Sequence, residues 1–405
     1  MRRYFDTKKM HNPKILILVE DRHFPPSKQA AASRIGAFAK YWSRRSQVVV
    51  VTHQISVFES EYFRFSFPLA KKRWDFLKLP WILPRLLKLA RQIKPDIIFV
   101  SFPFIWQAVE GCYLMKRLGC PLILDIRDLP EAVLPLNKIP ILHYFMNLLQ
   151  RVLALIVIPK VSSISTVTEW LKKEIQEKFK YDPKRIFVIR NGSEASNSNK
   201  SSKREKKFDL VYSGMLASDA RNPRGIIDYI YEMVKIFPLL RVRVISDLET
   251  RQGREFLEGL KLRGLTKNFE FEEMVPPKEL TGRLRSAKLG LNSLAYGLLA
   301  HKGAVGAKEY DYLMAGLPVV CLMDPSLYVE SRGLILGNGV GIMDPDPEKL
   351  AEKTVRLLND EKRLREMSEK ARRLGRRFDR KKLADDFYRD VILTTIERHY
   401  MHQAL

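Results

Sequence analysis

The stretch Gly303-Ala-Val-Gly-Ala-Lys-Glu-Tyr-Asp-Tyr-Leu-Met-Ala-Gly-Leu-Pro-Val-Val-Cys-Leu322 constrains the fold more than any other. Gly303 and Gly306 make a loop that backbone amides can line. A short helix is expected from Lys308 to Ala315, and Gly316 stands where a helix C-cap belongs. Pro318 then opens the apolar run Val319 to Leu322, bounded like a buried strand. A glycine loop running into a helix N-terminus is a ready anion site, because free amides and the helix dipole point at the same place. Lys308 adds a cation there. Asp311, about one turn further on, can accept hydrogen bonds from hydroxyls. A diphosphate beside a ribose suits that layout. An ordinary αβ unit whose glycines serve only turns would carry the same residues, so the rest of the chain has to decide.

That remainder alternates strand and helix patterns. Lys14 to Val19 reads as a buried strand. Ser27 can cap a helix carrying Ala30, Ala31, Ile35, Phe38, Ala39 and Trp42 at helical spacing, and Gln47 to Thr52 is the next strand. Strand, helix and strand with short connections form a parallel α/β unit. The loop Glu20 to Ser27 lies at a strand's carboxyl end, where open α/β sheets bind ligands. His23 and Arg34 are acceptor candidates there, although a loop histidine is more often merely solvated.

Further strands are expected at Asp96 to Ser101 and in Pro121-Leu-Ile-Leu-Asp-Ile-Arg-Asp-Leu-Pro-Glu131, whose strand ends at Asp125 to Arg127. Asp128 and Glu131 then sit in a loop over the sheet's edge. A carboxylate there can accept a proton from an acceptor hydroxyl. The other reading is a local ion pair of Asp125, Arg127 and Asp128 that caps the next helix. No further residues complete a metal site, and none is expected. Ile139 to Ile158 is a nearly unbroken apolar helix or helix pair. Ser163 to Val167, a helix capped by Thr168, and Arg185 to Gly192 close a first domain, residues 1–192.

Ser193 to Lys207, rich in Ser, Asn and Lys, reads as a linker, 193–207. A second domain, 208–378, restarts with Phe208 to Ser213 and Gly214. Arg221 and Arg224 precede a helix, Ile226 to Ile236. A glycine lets the backbone approach a diphosphate, and cations neutralise it. Strands follow at Arg241 to Ser246, Glu270 to Val275 and Leu289 to Leu294. Residues 379–405 form a terminal helix.

Several segments resemble one family. Lys308 to Val320 is similar to the K-x-x-E-Y-x-A-x-G-x-P-V segment of the retaining glycosyltransferases of the two-Rossmann-domain class, group 1 or family 4. Pro121 to Glu131 resembles the D-x-R-D-x-W-P-E segment of a bacterial surface-polysaccharide subgroup, without the tryptophan. Arg185 to Gly192 resembles the family's V-I-P-N-G strand. The family's paired glutamates fall on Gly303, which has no carboxylate, and on Asp311.

The resemblance implies an α/β chain of two Rossmann-like domains facing a cleft (the GT-B fold), with the C-terminal helix crossing back to the first. It implies transfer of a sugar from a nucleotide diphosphate sugar, with retention, in surface-polysaccharide or lipopolysaccharide synthesis. No cofactor is implied. Ser213, Gly214, Arg221, Arg224, Val275, Gly306, Lys308, Glu309 and Asp311 would bind the donor. Asp128, Arg224 and Lys308 would be catalytic, and His23, Arg34, Arg127 and Asp128 would meet a glycan or lipid-linked acceptor. A sugar-nucleotide epimerase on the same fold, and a non-catalytic nucleotide-sugar or glycan-binding subunit, are the alternatives.

Charge bears on the partner. The 405 residues carry 71 basic and 46 acidic side chains, a net +25 that favours anionic partners. No nucleic-acid module is recognisable. Lys71 to Arg91 interleaves seven basic residues with Trp74, Trp81 and several leucines, which suits an anionic bilayer's interface; an ordinary solvated helix packing its leucines inward would look the same. Cys112, Cys120 and Cys321 show no C-x-x-C spacing, consistent with a reducing compartment. The basic start lacks a signal-like apolar segment, and no run is long enough to span a bilayer. A cytoplasmic enzyme docking on the inner membrane face is expected.

Overall fold

The computed structural model describes residues 12–20, 23–25, 27, 30–52, 62–67, 69, 77–102, 105–129, 141–194, 206–216, 221–294 and 301–404. Glu131, the run Lys71 to Phe76 and most of the expected linker lie outside them. The chain divides into two units, Met1–Arg190 with Arg380–Leu405, and Asn191–Asp379.

The first unit runs β1 (Lys14–Leu18), α1 (Ala30–Trp42), β2 (Gln47–Thr52), β3 (Phe63–Ser66), α2 (Leu79–Ile93), β4 (Ile97–Phe102), α3 (Ile105–Leu118), β5 (Leu122–Ile126), α4 (Ile141–Val157), β6 (Ser163–Thr166), α5 (Glu169–Phe179) and β7 (Ile186–Val188). The second runs β8 (Phe208–Ser213), α6 (Pro223–Ile236), β9 (Val242–Ile245), α7 (Arg251–Leu262), β10 (Phe269–Glu272), α8 (Pro277–Leu284), β11 (Ala287–Ser293), α9 (Ala307–Ala315), β12 (Val319–Leu322), α10 (Val329–Ile335), β13 (Gly341–Asp344), α11 (Pro347–Asn359) and α12 (Glu361–Gly375). Helices α13 (Arg380–Phe387) and α14 (Thr394–Ala404), continuous through a π-helical segment, Tyr388–Leu393, return the chain to the first unit.

Each unit is one parallel sheet. Seven strands run in the order β3-β2-β1-β4-β5-β6-β7, and six in the order β10-β9-β8-β11-β12-β13. Such sheets are covered on both faces, so their strands read as continuous apolar runs rather than alternating ones. β1, β2 and β4 show this directly. One face of the first sheet packs on α2, α3, α4 and α5 through residues such as Leu16, Val100, Leu124 and Ile164. On the other face Phe99 meets Phe38 and Trp42 of α1 and Phe387 of α13. Trp42 Nε1 donates to the Ala384 carbonyl at 3.0 Å, which ties the returning helix to α1.

In both sheets the strand order reverses once, between β1 and β4 and between β8 and β11. The crevice outside the strand carboxyl ends at such a point is where ligands bind in this architecture. In the second unit the chain is closed around that point by close approach. Gly290 of β11 leaves room for the Tyr312 ring of α9; a Cβ there would stand 2.4 Å from it. The Tyr312 hydroxyl then accepts from the Ser213 amide at 3.0 Å and donates to the Leu291 carbonyl at 2.9 Å, joining the ends of β8 and β11. Gly316 takes φ +75° as the C-cap of α9.

Candidate functional site

Three pieces of chain converge at the β8/β11 switch point. β8 ends at Ser213, and Gly214 follows with φ +118°, a conformation that L side chains rarely adopt. The loop 304–306 leads into α9, whose N-cap is Gly306. Lys308, in the first turn of α9, lies over Gly214: a Cβ on that glycine would be 3.5 Å from Lys308 Cε and 3.7 Å from Nζ. The ammonium also stands 3.7 Å from the centroid of the Tyr212 ring.

Lys308, expected as a cation beside a diphosphate, is buried at 8% exposure, and its Nζ has no hydrogen-bond acceptor. Burial pushes its pKa well down, Arg221 pushes it further, and Glu309 and Asp311 pull the other way. Two cations that oppose each other, one buried without an acceptor, form a site that an anion would relieve. Arg221 and Asp311 are half-buried beside it.

Glu309 does different work from that expected of a donor ligand. It is fully buried, and its Oε1 accepts from Asn292 Nδ2 at 2.7 Å, Ser331 Oγ at 2.7 Å and the Gly306 amide at 3.2 Å. Those bonds tie β11, α10 and the loop to the start of α9. Burial raises its carboxyl pKa to about 7, against the pull of the same three donors and of Lys308. Gly306 is fitted tightly to this group, since a Cβ would meet Asn292 Nδ2 at 2.9 Å. Glu309 therefore shapes the loop through Oε1, while its Oε2 is buried with no hydrogen-bond partner.

The other expected donor residues are placed less centrally. Ser213 is buried with its amide on Tyr312. Arg224 is exposed on the first turn of α6, where Asn222 caps the helix by accepting from the Gly225 amide at 3.1 Å. Val275 is half-buried in the loop after β10. Tyr212, Asn292, Tyr312 and Ser331 were not singled out from the sequence. Asn292 and Ser293 had a signal, two polar residues at the carboxyl end of an apolar run. Tyr312 lies four residues from Lys308, on the same helix face. Ser331 had none.

In the first unit the acceptor candidates group at the carboxyl ends of β1 and β5, but not as free ligands. Arg34 is buried and forks onto Asp125, Nη2 to Oδ1 at 3.1 Å and Nε to Oδ2 at 3.3 Å, with Nη1 donating to the Arg190 carbonyl at 2.8 Å. Ser165 Oγ also donates to Asp125, at 2.7 Å. This corrects the reading of Arg34 as an acceptor contact: a fully buried aspartate needs a paired cation, and Arg34 is that partner. Asp125 is thus paired chiefly with Arg34, which the ion-pair reading of Asp125, Arg127 and Asp128 did not include. Arg127 Nε stands 3.9 Å from Asp125, and its Nη2 donates to Ser101 Oγ at 3.3 Å. His23 is buried rather than solvated, with Nδ1 3.7 Å from Glu20 Oε2. Asp128 is exposed, yet the protein around it raises its carboxyl pKa while Arg127 lowers it. Among the described residues no group of three His, Cys, Asp or Glu side chains could hold a metal ion.

Comparison with known proteins agrees with this architecture. The model of Glycosyltransferase Family 4 matches residues 31–196. No protein of curated function matches the chain. A glycosyltransferase from Rickettsia africae superposes with a TM-score of 0.73 at 11% identity, over 96% of this chain and 99% of that one. Anabaena HepE in complex with UDP and glucose gives 0.68 at 15% identity, over 94% and 100%. A UDP-N-acetylglucosamine 2-epimerase, described as putative, from Listeria monocytogenes gives 0.58 at 15%, over 96% and 97%. The fold is thus that of the two-Rossmann-domain glycosyltransferases.

Proposed function

We propose that this chain is a glycosyltransferase that moves a sugar from a nucleotide diphosphate sugar to a glycan or lipid-linked acceptor, with retention of anomeric configuration, in surface-polysaccharide or lipopolysaccharide synthesis. One observation carries the reading: the buried, acceptorless ammonium of Lys308 over Gly214, beside Arg221, at the switch point of the second sheet. A diphosphate there would satisfy Lys308 and be met by the amides at the start of α9. Stabilising the departing nucleotide diphosphate as its charge grows is then electrostatic work by groups already in place. Arg221 and, from α6, Arg224 add charge. Asp311 is suited to ribose hydroxyls and the Val275 loop to the base. No cofactor enters; the nucleotide sugar is a substrate.

The acceptor side is assigned to the first unit. Asp128, exposed in the loop after β5, is the proton acceptor for the incoming hydroxyl. Arg127 stands next to it, His23 is assigned to the same acceptor side, and Arg34 holds Asp125 in place. Two rivals share the fold, an epimerase and a subunit that binds without turnover. Incubating the protein with UDP- and GDP-sugars and a panel of lipid-linked and free glycans separates the three. A new glycosidic product with retained configuration supports the proposal. Release of a free epimer, or binding with no turnover on any acceptor, overturns it.

A further inference from the structure

The layer α2–α3–α4 on one face of the first sheet carries two unexplained features. The first is an apolar ridge on α4. Leu148, Val152, Leu155 and Ile156 are 47%, 44%, 52% and 46% exposed. Their spacing, i, i+4, i+7 and i+8, puts all four on one side of the helix, opposite Ala154 and Val157, which face the core. Four large apolar side chains side by side on a surface mark an interaction site. The second feature lies on α2, where Trp81 is 65% exposed and Arg85 and Lys88 follow at i+4 and i+7 on the same outward side. α3 lies between them, touching both helices.

The charges of these three helices are one-sided, whereas α5 on the same face carries Glu169, Glu174 and Glu177. Neither α2 nor α4 contains an acidic residue, and the one carboxylate of α3, Glu110, is fully buried. Arg85, Lys88, Arg91, Lys116 and Arg117 are exposed. A second copy of this chain would bring the same basic face and another +25 against it. An anionic surface with an apolar interior meets both features at once. Aromatic and basic side chains are placed at headgroup level, and an apolar helix face sinks toward the acyl chains. No helix among the described residues is long and apolar enough to cross a membrane, so the contact would be interfacial.

We propose that the outward side of the α2–α3–α4 layer docks on an anionic lipid bilayer, with the α4 ridge inserted and Trp81, Arg85 and Lys88 at the headgroups. This surface is separate from the nucleotide site and does not depend on the transferase reading.

The test is flotation of the full chain, without nucleotide or acceptor, on vesicles of phosphatidylcholine alone and of phosphatidylcholine mixed with phosphatidylglycerol. Binding to the mixed vesicles should be stronger by about tenfold or more and should weaken as salt rises. Leu155→Glu with Ile156→Glu should cut it by about tenfold or more, as should Arg85→Gln with Lys88→Gln. Should the glutamates disturb folding, as read by circular dichroism, Leu155→Ser with Ile156→Ser replaces them. No flotation, equal flotation on neutral vesicles, or variants that bind like the unchanged chain would overturn the proposal. So would a dimer in sedimentation that the same ridge variants dissolve, which would assign the ridge to a second copy. Because substrate is absent throughout, any of these failures leaves the transferase reading untouched.

Discussion

Lys308 and Glu309 are neighbours with opposite tasks, and each makes a prediction. Lys308 keeps a charge buried without an acceptor, which works against folding. Lys308→Met keeps the bulk and removes the charge. The variant should be at least as stable as the unchanged chain while its UDP affinity, read by calorimetry, falls about tenfold or more, the range for a charge-assisted bond. Unchanged affinity would remove Lys308 from the site. Glu309 has a folded pKa of about 7, raised from the ordinary 4.5. A raised carboxyl binds its proton more tightly when folded. That contribution is complete below the unfolded pKa and is lost as pH rises through about 7, on the order of 3 kcal/mol in total. Glu309→Gln mimics the protonated form, so the loss of stability between pH 5 and 8 should flatten in denaturant titrations. A slope unchanged by the substitution would show that Glu309 is not the group that titrates.

At the scale of elements, α9 explains what could be read from the chain and what could not. Its span, its C-cap Gly316 and the following β12 were legible, because a glycine stop and a bounded apolar run are local signals. The long buried strands were legible for the same reason, to within a residue or two. β3, Phe63–Ser66, was not: it is short, carries Arg64, and depends on pairing with β2. The expected strand to Val275 stops at Glu272, and the helix expected over the last residues runs on through a π-helical segment at Tyr388–Leu393. The site was half legible. Glycines and a lysine before a helix name an anion site, but burial and partners are decided by residues distant in sequence. Lys308 is covered by Tyr212, and Glu309 is held by Asn292 and Ser331.

Tyr312 is the tertiary fastener of α9. Tyr312→Phe keeps the ring against Gly290 and removes the bonds to Ser213 and Leu291. It should cost about 1–3 kcal/mol in denaturant unfolding, the cost of leaving buried polar groups unmet. UDP affinity should weaken as well, because Gly214 follows Ser213 directly. A stable variant with normal affinity would mean that α9 is held by packing alone.

At the scale of the molecule, the division of labour between the two units is itself testable. Each has its own sheet and its own buried core, so each is expected to unfold as a separate cooperative step. Every residue named around Lys308 belongs to the second unit, including Tyr212, Gly214, Arg221, Asn292, Gly306, Asp311 and Ser331. A ligand that binds only a folded unit stabilises that unit, by about 2.7 kcal/mol at a hundred times its Kd. For a unit of this size that corresponds to roughly 5–10 °C in Tm. UDP at saturating concentration should therefore raise one of two calorimetric transitions and leave the other in place. Trp42→Ala supplies the assignment. It removes a ring that packs on Phe38, Phe99 and Phe387 and a bond to Ala384, all within the first unit, so it should lower the transition that UDP does not move. If UDP instead raises the transition that Trp42→Ala lowers, the nucleotide is held by the first unit and the site at the β8/β11 switch point is misassigned.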